Sequence, residues 1–384
     1  MKEMKNAFQN KKNNYLVLKI FIFSFLALSI ILFGVGSFFD MEINSWFAKG
    51  MDVYFIKIIV WIYEEAGMTQ SFIFIFLFIA VILEVTFISS SKSLKWKIVL
   101  IIYYVGWLVF WLTFNITQII DAPLRDDGFG PGVNGWFLDN QKIRQYILVS
   151  LFIIETIGFG VVFYFLRFKF SNRADLLQNG YRVDAIKALT IYIVSSLVVW
   201  IMKPTFGRPY FYSVDFANIF YSDRLQPEWR DYWVQTGHKI KSWGYINKET
   251  GLVESVPYKE WWQINNFFGN IKDIFKPLGS QKPGWWNMDF PSGHMNSCFA
   301  IVFAGYFFIG EKKNRKITGW KWIFLIGWFV HINLMQYTQI ISRTHWITDT
   351  SFTISMTLIL FIFNGLVIDK IINKYNTKNN RNFR

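Results

Sequence analysis

Long unbroken apolar runs, rather than apolar–polar alternation, dominate this chain. Eight stretches of mainly apolar residues fall at about 15–38, 68–90, 98–119, 145–166, 185–202, 293–310, 322–341 and 347–368. A helix of roughly 20 such residues crosses the hydrocarbon core of a bilayer. Backbone groups in lipid must find partners within the protein, which leaves helices or closed barrels. Runs without a period of two argue against a barrel. The pattern therefore predicts an all-α fold, a polytopic transmembrane helical bundle of about eight spans.

The segments between the runs divide the chain further. Residues 1–67 read as an N-terminal span followed by an interfacial amphipathic helix over 41–66, and 68–203 as spans two to five with an inserted hairpin and its outer loop 120–142. Residues 204–291 form one large extramembranous cap, rich in aromatics (Trp229, Trp233, Trp243, Trp261, Trp262, Trp285 and Trp286). Tryptophan favours the membrane interface, and such a cap also suits a lid over an amphiphilic substrate. Residues 292–370 hold spans six to eight, and 371–384 a polar tail. The first run is too long for a signal-peptide core and no small-x-small site closes it, so it reads as a retained span.

Charge changes the picture less than its size suggests. The net charge of +14 could indicate a nucleic-acid partner, but its distribution does not. With the amino terminus placed in the cytoplasm, 23 of the 40 basic residues fall on cytoplasmic segments with five acidic ones. The outer segments carry the other 17 with 19 acidic residues. This is the asymmetry that orients membrane proteins. It implies a multi-pass protein of the cell membrane with both termini cytoplasmic, membrane lipids as partners and no nucleic acid. Apolar residues at 53% exclude disorder, and Cys298, the only cysteine, excludes a disulfide scaffold.

Three polar clusters fall on the outer face in this topology. Lys203-Pro204-Thr205-Phe206-Gly207-Arg208-Pro209-Tyr210 closes the fifth span, Pro291-Ser292-Gly293-His294 opens the sixth, and Ser342-Arg343-Thr344-His345-Trp346-Ile347-Thr348-Asp349 opens the eighth. A helix start at Ser292 and Gly293 turns backbone N–H groups toward an anion. His345 and Asp349 are four apart on one helical face, so the carboxylate can hold one imidazole nitrogen and leave the other free to attack. Lys203, Arg208 and Arg343 supply cations for a phosphate. His294 is placed to protonate a leaving oxygen. The set suits phosphoryl transfer through a phosphohistidine, with no metal and no cofactor expected. His331 reads as a buried, hydrogen-bonded side chain, His238 as a solvated one in the cap. Glu84 and Glu155 read as ionisable groups facing the bundle interior.

In order and sidedness these clusters resemble the type 2 phosphatidic acid phosphatase family, whose pattern is Lys, six residues, Arg-Pro; Pro-Ser-Gly-His; then Ser-Arg, five residues, His, three residues, Asp. Phe39-Asp40-Met41-Glu42-Ile43-Asn44-Ser45-Trp46 resembles the stretch that often follows the family's first span. The likeness covers about 15–90 and 185–370, and the spans near 98–119 and 145–166 look like an insertion into a six-span core. It implies His345 as nucleophile, Asp349 as its orienting carboxylate, His294 as acid, and Lys203, Ser292 and Gly293 as phosphate contacts. The chain departs from the pattern at two arginines: Tyr210 and Gln339 stand in their places, with Arg208 and Arg343 as the nearest substitutes. The implied activity is hydrolysis of a lipid or isoprenoid phosphate monoester or diphosphate at the outer face. Alternatives are a phosphotransferase passing the group to a lipid or sugar hydroxyl, and a degenerate relative that only binds lipid.

Overall fold

The computed structural model describes residues 2–122, 141–222, 244–264, 288–308 and 317–382, with Arg230, Asp231 and Val234 besides. Most of the 120–142 loop, His238 and the greater part of the cap, including all its tryptophans except Trp261 and Trp262, lie outside the described residues.

The helices are α1 (Lys2–Ala48), α2 (Tyr54–Ser89), α3 (Leu94–Asp121), α4 (Gln141–Tyr164), α5 (Tyr181–Phe206), the short α6 (Phe211–Val214) and α7 (Phe216–Tyr221), α8 (Gly293–Phe303), α9 (Gly319–Ile341) and α10 (Ile347–Asn382). One antiparallel ribbon, β1 (Gly244–Ile246) and β2 (Val253–Ser255), belongs to the cap and pairs Gly244 with Ser255. Its Val253 packs with Tyr212, Phe216 and Phe220 of α6 and α7. The described part of the cap thus has a small apolar core of its own.

Among the described residues, six helical segments are long and apolar enough to cross a membrane: Asn14–Asp52, Tyr54–Ser89, Leu94–Asp121, Gln145–Phe170, Tyr181–Tyr221 and Ile347–Ile371. They correspond to six of the eight expected runs. The other two runs are also helical, as α8, continued by a tight turn over Ala304–Phe307, and as α9. By length and composition they do not qualify alone. α8 has only 11 residues, and α9 carries polar residues within its run. α8 is enclosed by α2, α5, α9 and α10, so Asn296 and Ser297 face protein rather than lipid. Gln336, Thr338 and Gln339 of α9 are likewise buried.

The expected interfacial helix over 41–66 is not one element. α1 breaks at Phe39 (φ −133°, ψ 23°), a single 3₁₀ turn follows at Lys49–Asp52, and α2 begins at Tyr54. The polar residues that gave the segment its amphipathic pattern, Asn44, Glu64 and Glu65, are buried against protein. α2 has 36 residues and is about 54 Å long, well beyond a hydrocarbon core of about 30 Å. One end therefore reaches past the lipid, beside the functional cluster.

α3 and α4 pair on the outer side of α2 around a second core of Phe76, Trp111 and Phe159, where Trp111 Nε1 donates to Thr156 (2.9 Å). Here Glu84 is buried and accepts from Tyr104 (2.9 Å) and Arg167 (3.1 Å), while Glu155 accepts from Thr69 (2.7 Å). Both acids face other helices, as expected. His331 Nε2 bonds Gln70 Oε1 (2.6 Å) and its Nδ1 lies 3.4 Å from Tyr63 Oη, in keeping with a hydrogen-bonded interior histidine.

Candidate active site

The site forms at one end of the bundle because four helix ends converge there. α10 starts at Ile347, and its first N–H groups need partners. They find them on α1. Asn44 Oδ1 accepts from Ile347 N (3.2 Å), Asp40 Oδ1 from Thr348 N (3.2 Å), and Asn44 Nδ2 donates to the His345 carbonyl (2.8 Å). Asp349 Oδ2 closes the cap on Trp346 N (3.1 Å). The break at Phe39 brings Asp40 and Asn44 into place, which gives the segment Phe39–Trp46 a physical role.

The turn before α10 is held from beneath. His345 N and Thr344 N both donate to the Gln339 carbonyl (3.2 and 3.1 Å). Glu64 of α2, buried, accepts from Ser342 Oγ (2.6 Å) and Thr344 Oγ1 (2.7 Å). Arg343 takes a left-handed conformation (φ 66°) in this turn and directs Nε toward Asp215 (3.4 Å). His345 is presented as a rigid, 3% exposed group.

His294 comes from the start of α8. Ser292 is the helix cap: its Oγ accepts from Met295 N (3.3 Å) and donates to Gln339 Oε1 (2.8 Å), and its N–H bonds Thr353 Oγ1 (3.0 Å). The His294 and His345 rings lie 6.3 Å apart at 73°. Two imidazoles separated by 51 positions of sequence thus lie edge to face in the folded chain. α2 passes very close to them: a Cβ built on Gly67 would lie 2.0 Å from His294 Cδ2. Gly67→Ala is therefore expected to push the His294 ring aside. A misplacement of about 1 Å can cost about 10²-fold in rate, so steady-state turnover should fall by that order while helix content by circular dichroism stays unchanged.

The electrostatics differ from the sequence expectation. His345 Nδ1 contacts Asp289 Oδ1 and lies 3.5 Å from Asp349 Oδ2. Two carboxyl groups thus hold the Nδ1 side, leaving the Nε2 lone pair as the reactive one. Asp289, buried beside the Pro-Ser-Gly-His motif, was not singled out from sequence. An acid two residues before a proline in a loop carries no periodic signal there, and only its contact with His345 marks it. Lys203 Nζ lies on the carbonyl oxygens of Met288 (2.5 Å) and Asp289 (3.3 Å), which brings it to the motif loop.

Arg208 does not stand ready for a phosphate. Its guanidinium is fully buried, donates to Asp349 Oδ1 (2.7 Å), Thr348 Oγ1 (2.5 Å), Asp40 Oδ2 (2.7 Å) and the Lys259 carbonyl (3.1 Å), and lies 4.5 Å over the Trp346 ring. Where the sequence suggested a phosphate contact, Arg208 ties α5 to α1 and α10. The reason is proximity, since two carboxylates reach it within hydrogen-bond distance. Arg343 pairs more loosely, with its Nε 3.4 Å from Asp215 Oδ2.

Burial, and then the neighbouring Asp349 charge, push the Asp289 carboxyl well above the usual carboxylate range, and burial lowers the His345 imidazole. The folded chain therefore keeps the Asp289 proton to higher pH than the unfolded chain does. The resulting stabilisation is full below the unfolded value of about 3.9 and is lost as pH rises toward the folded value. His345 acts in the opposite sense, losing stability as pH falls below about 6.5. An Asp289→Asn variant keeps that second effect and removes the first. As pH rises above about 3.9, the unfolding midpoint of detergent-solubilised wild type should fall relative to that of the variant, read by thermal scans.

Asp289, His345 and Asp349 are also the grouping that could hold a metal among the described residues, with donor atoms within 4.8 Å of one another. Arg208 is already ion-paired to Asp349, and Lys203 lies on the Asp289 backbone. A divalent ion would face both cations. The donor set fits a proton shared between two carboxyls and an imidazole better than a metal.

Comparison with known proteins agrees with the motif reading. Over 368 residues, 91% of this chain and 93% of its own length, a protein of Mycoplasma capricolum subsp. capricolum described as uncharacterized is 27% identical. No solved structure matches the chain. The family model of the PAP2 superfamily matches residues 184–368, a range that contains Lys203, Arg208, Asp289, Ser292, His294, His345 and Asp349 and leaves out α3 and α4. Over residues 184–368 the chain is therefore similar to the PAP2 superfamily, which supports the resemblance drawn from the motifs.

Proposed function

We propose that this protein is an integral-membrane phosphatase that removes the phosphate of a lipid or isoprenoid phosphate ester at the outer face of the cell membrane. The observation that carries the reading is the approach of His294 and His345, 6.3 Å apart, at the start of a helix that offers backbone N–H groups. Family relationship brings phosphatase-type chemistry with it, and the apolar helices give a multi-pass membrane protein. The lipid tails of such a substrate would lie along the bundle while its phosphate reaches the site. The basic asymmetry of the connections supports cytoplasmic termini and an outer site.

In the proposed reaction His345 Nε2 attacks phosphorus, the bond to the leaving oxygen breaks, and His294 supplies that oxygen with a proton. Lys203, Ser292 and Gly293 hold the phosphoryl oxygens, and Asp289 and Asp349 keep the Nδ1 proton of His345 in place. Water activated by His294 then attacks the phosphohistidine and frees His345. Transfer to a lipid or sugar hydroxyl is the second reading, favoured by the 3% exposure of His345, which restricts water. Purified protein should release phosphate from members of a lipid phosphate panel in the presence of excess chelator. Adding hydroxyl acceptors should lower that release only if transfer is the natural outcome. No turnover of any panel member would end the proposal.

A further inference from the structure

The charges around the two histidines do not match a doubly charged phosphate. Arg208 is held by Asp349 and Asp40, each at 2.7 Å, and Arg343 by Asp215 at 3.4 Å. Among the described residues, Lys203 is the cation at the site whose contacts are carbonyl oxygens rather than carboxylates. Asp289 adds a third acid to Asp40 and Asp349, facing His345. The fixed groups therefore carry no excess of positive charge. A dianion entering this buried space would meet two carboxylates and a carboxyl with one uncommitted cation.

The two positions that carry arginine in the family pattern carry neutral donors here. Gln339 is fully buried, and its Oε1 is occupied by Ser292 Oγ (2.8 Å). Its Nε2, fixed by the planar amide next to that oxygen, has no partner among the described residues. A buried donor left unpaired costs free energy unless a ligand pairs it. The ring of Tyr210 stands 6.0 Å from that of His345 and stacks on Tyr212 (5.1 Å, 8°). Amide and phenol donors satisfy oxygens without adding charge. One ammonium, one helix start and neutral donors match a single negative charge.

We propose that the pocket takes a singly charged phosphate, a phosphodiester, in preference to a phosphomonoester dianion, with Gln339 and Tyr210 contacting the oxygens that arginines would otherwise hold. This rests on the phosphoryl-transfer reading of the same site. In the reaction, His345 Nε2 forms a bond to phosphorus, the bond to one ester oxygen breaks, and that oxygen takes its proton from His294. The second ester stays on phosphorus, so the histidine carries a monoanionic phosphoramidate ester. Water or an alcohol then gives its proton to His294 and its oxygen to phosphorus, releasing a monoester or a new diester and restoring His345. Hydrolysis of a diester would therefore yield a monoester and no inorganic phosphate.

The test uses full-length protein in detergent with four substrates: vesicles of phosphatidylglycerol and of phosphatidate, and soluble bis(p-nitrophenyl) phosphate and p-nitrophenyl phosphate. In the lipid pair or the soluble pair, kcat/KM for the diester should exceed that for the monoester at least tenfold, with monoester or new diester as product. The pair that reacts identifies the lipid or the free form as the natural source. A ratio below ten in every reacting pair overturns the substrate class and leaves the phosphatase reading standing. No turnover of any of the four by protein with full helix content overturns both. Gln339→Arg should shift the diester-to-monoester ratio toward the monoester by about tenfold or more. Should that variant misfold, competition between dimethyl phosphate and inorganic phosphate for the wild-type site gives the same reading, with the dimethyl ester expected to inhibit at the lower concentration.

Discussion

Replacing His345 with alanine is expected to abolish turnover, a loss on the order of 10⁴-fold or more, because it removes the proposed nucleophile itself. Its ring is held on the Nδ1 side by Asp289 and Asp349, and its backbone by Asn44 and Gln339, so the alanine variant keeps every backbone contact of the turn. The loss should therefore appear in kcat with the thermal midpoint little changed. His294→Ala is expected to lose about 10²–10⁴-fold, the usual range for a general acid. A phosphohistidine resists base and is cleaved by acid. Label trapped on wild-type protein during turnover should show that behaviour and be missing from His345→Ala. A base-labile label, or label that survives in the alanine variant, would mean that another residue is attacked.

The second large effect falls on stability. Arg208 bridges Asp40 of α1 and Asp349 of α10 with its side chain fully buried. Breaking a buried ion pair by removing one partner leaves the other charge uncompensated and costs about 3–5 kcal/mol. Arg208→Ala should thus lower the unfolding midpoint strongly and make expression poor. A phosphate-binding arginine would behave differently, with a raised KM and unaltered stability. A double-mutant cycle separates these cases. Asp40→Asn should cost much less in the Arg208→Ala background than in wild type, since the charge it neutralises has then lost its partner. Equal costs in both backgrounds would show that Arg208 and Asp40 are not coupled.

Arg208 also shows how far a sequence can be read. Its place in the Gly-Arg-Pro string, five residues after Lys203, announced a cation near a phosphate site. Nothing in that string says which acids surround it, because Asp40 lies 168 positions away. Asp289 was missed for the same reason. Its role exists only through contact with His345, 56 positions on. Gln339 was noticed as the residue in place of an arginine. The hydrogen bond that its side-chain oxygen accepts from Ser292, which shapes the substrate inference, exists only in the folded chain. Glu64 and Gly67 lie outside the matched domain and support the site from α2. The interfacial helix over 41–66 misread as surface chemistry what is in fact polar contact with the rest of the protein.

The sequence by itself determined that the chain is a helical membrane bundle, since long apolar runs have no other stable form in lipid and their flanking charges are additive along the chain. It also determined which residue types could do chemistry, because Pro-Ser-Gly-His and His-x3-Asp are local strings whose geometry follows from one helix turn. The tertiary structure decided the rest: which carboxyl groups surround His345, that Arg208 is neutralised by Asp40 and Asp349, and which polar residues of α8 and α9 turn inward. Those outcomes depend on pairwise contacts between distant segments, and electrostatic energy in a buried site is fixed by separations of a few ångströms that no linear spacing encodes.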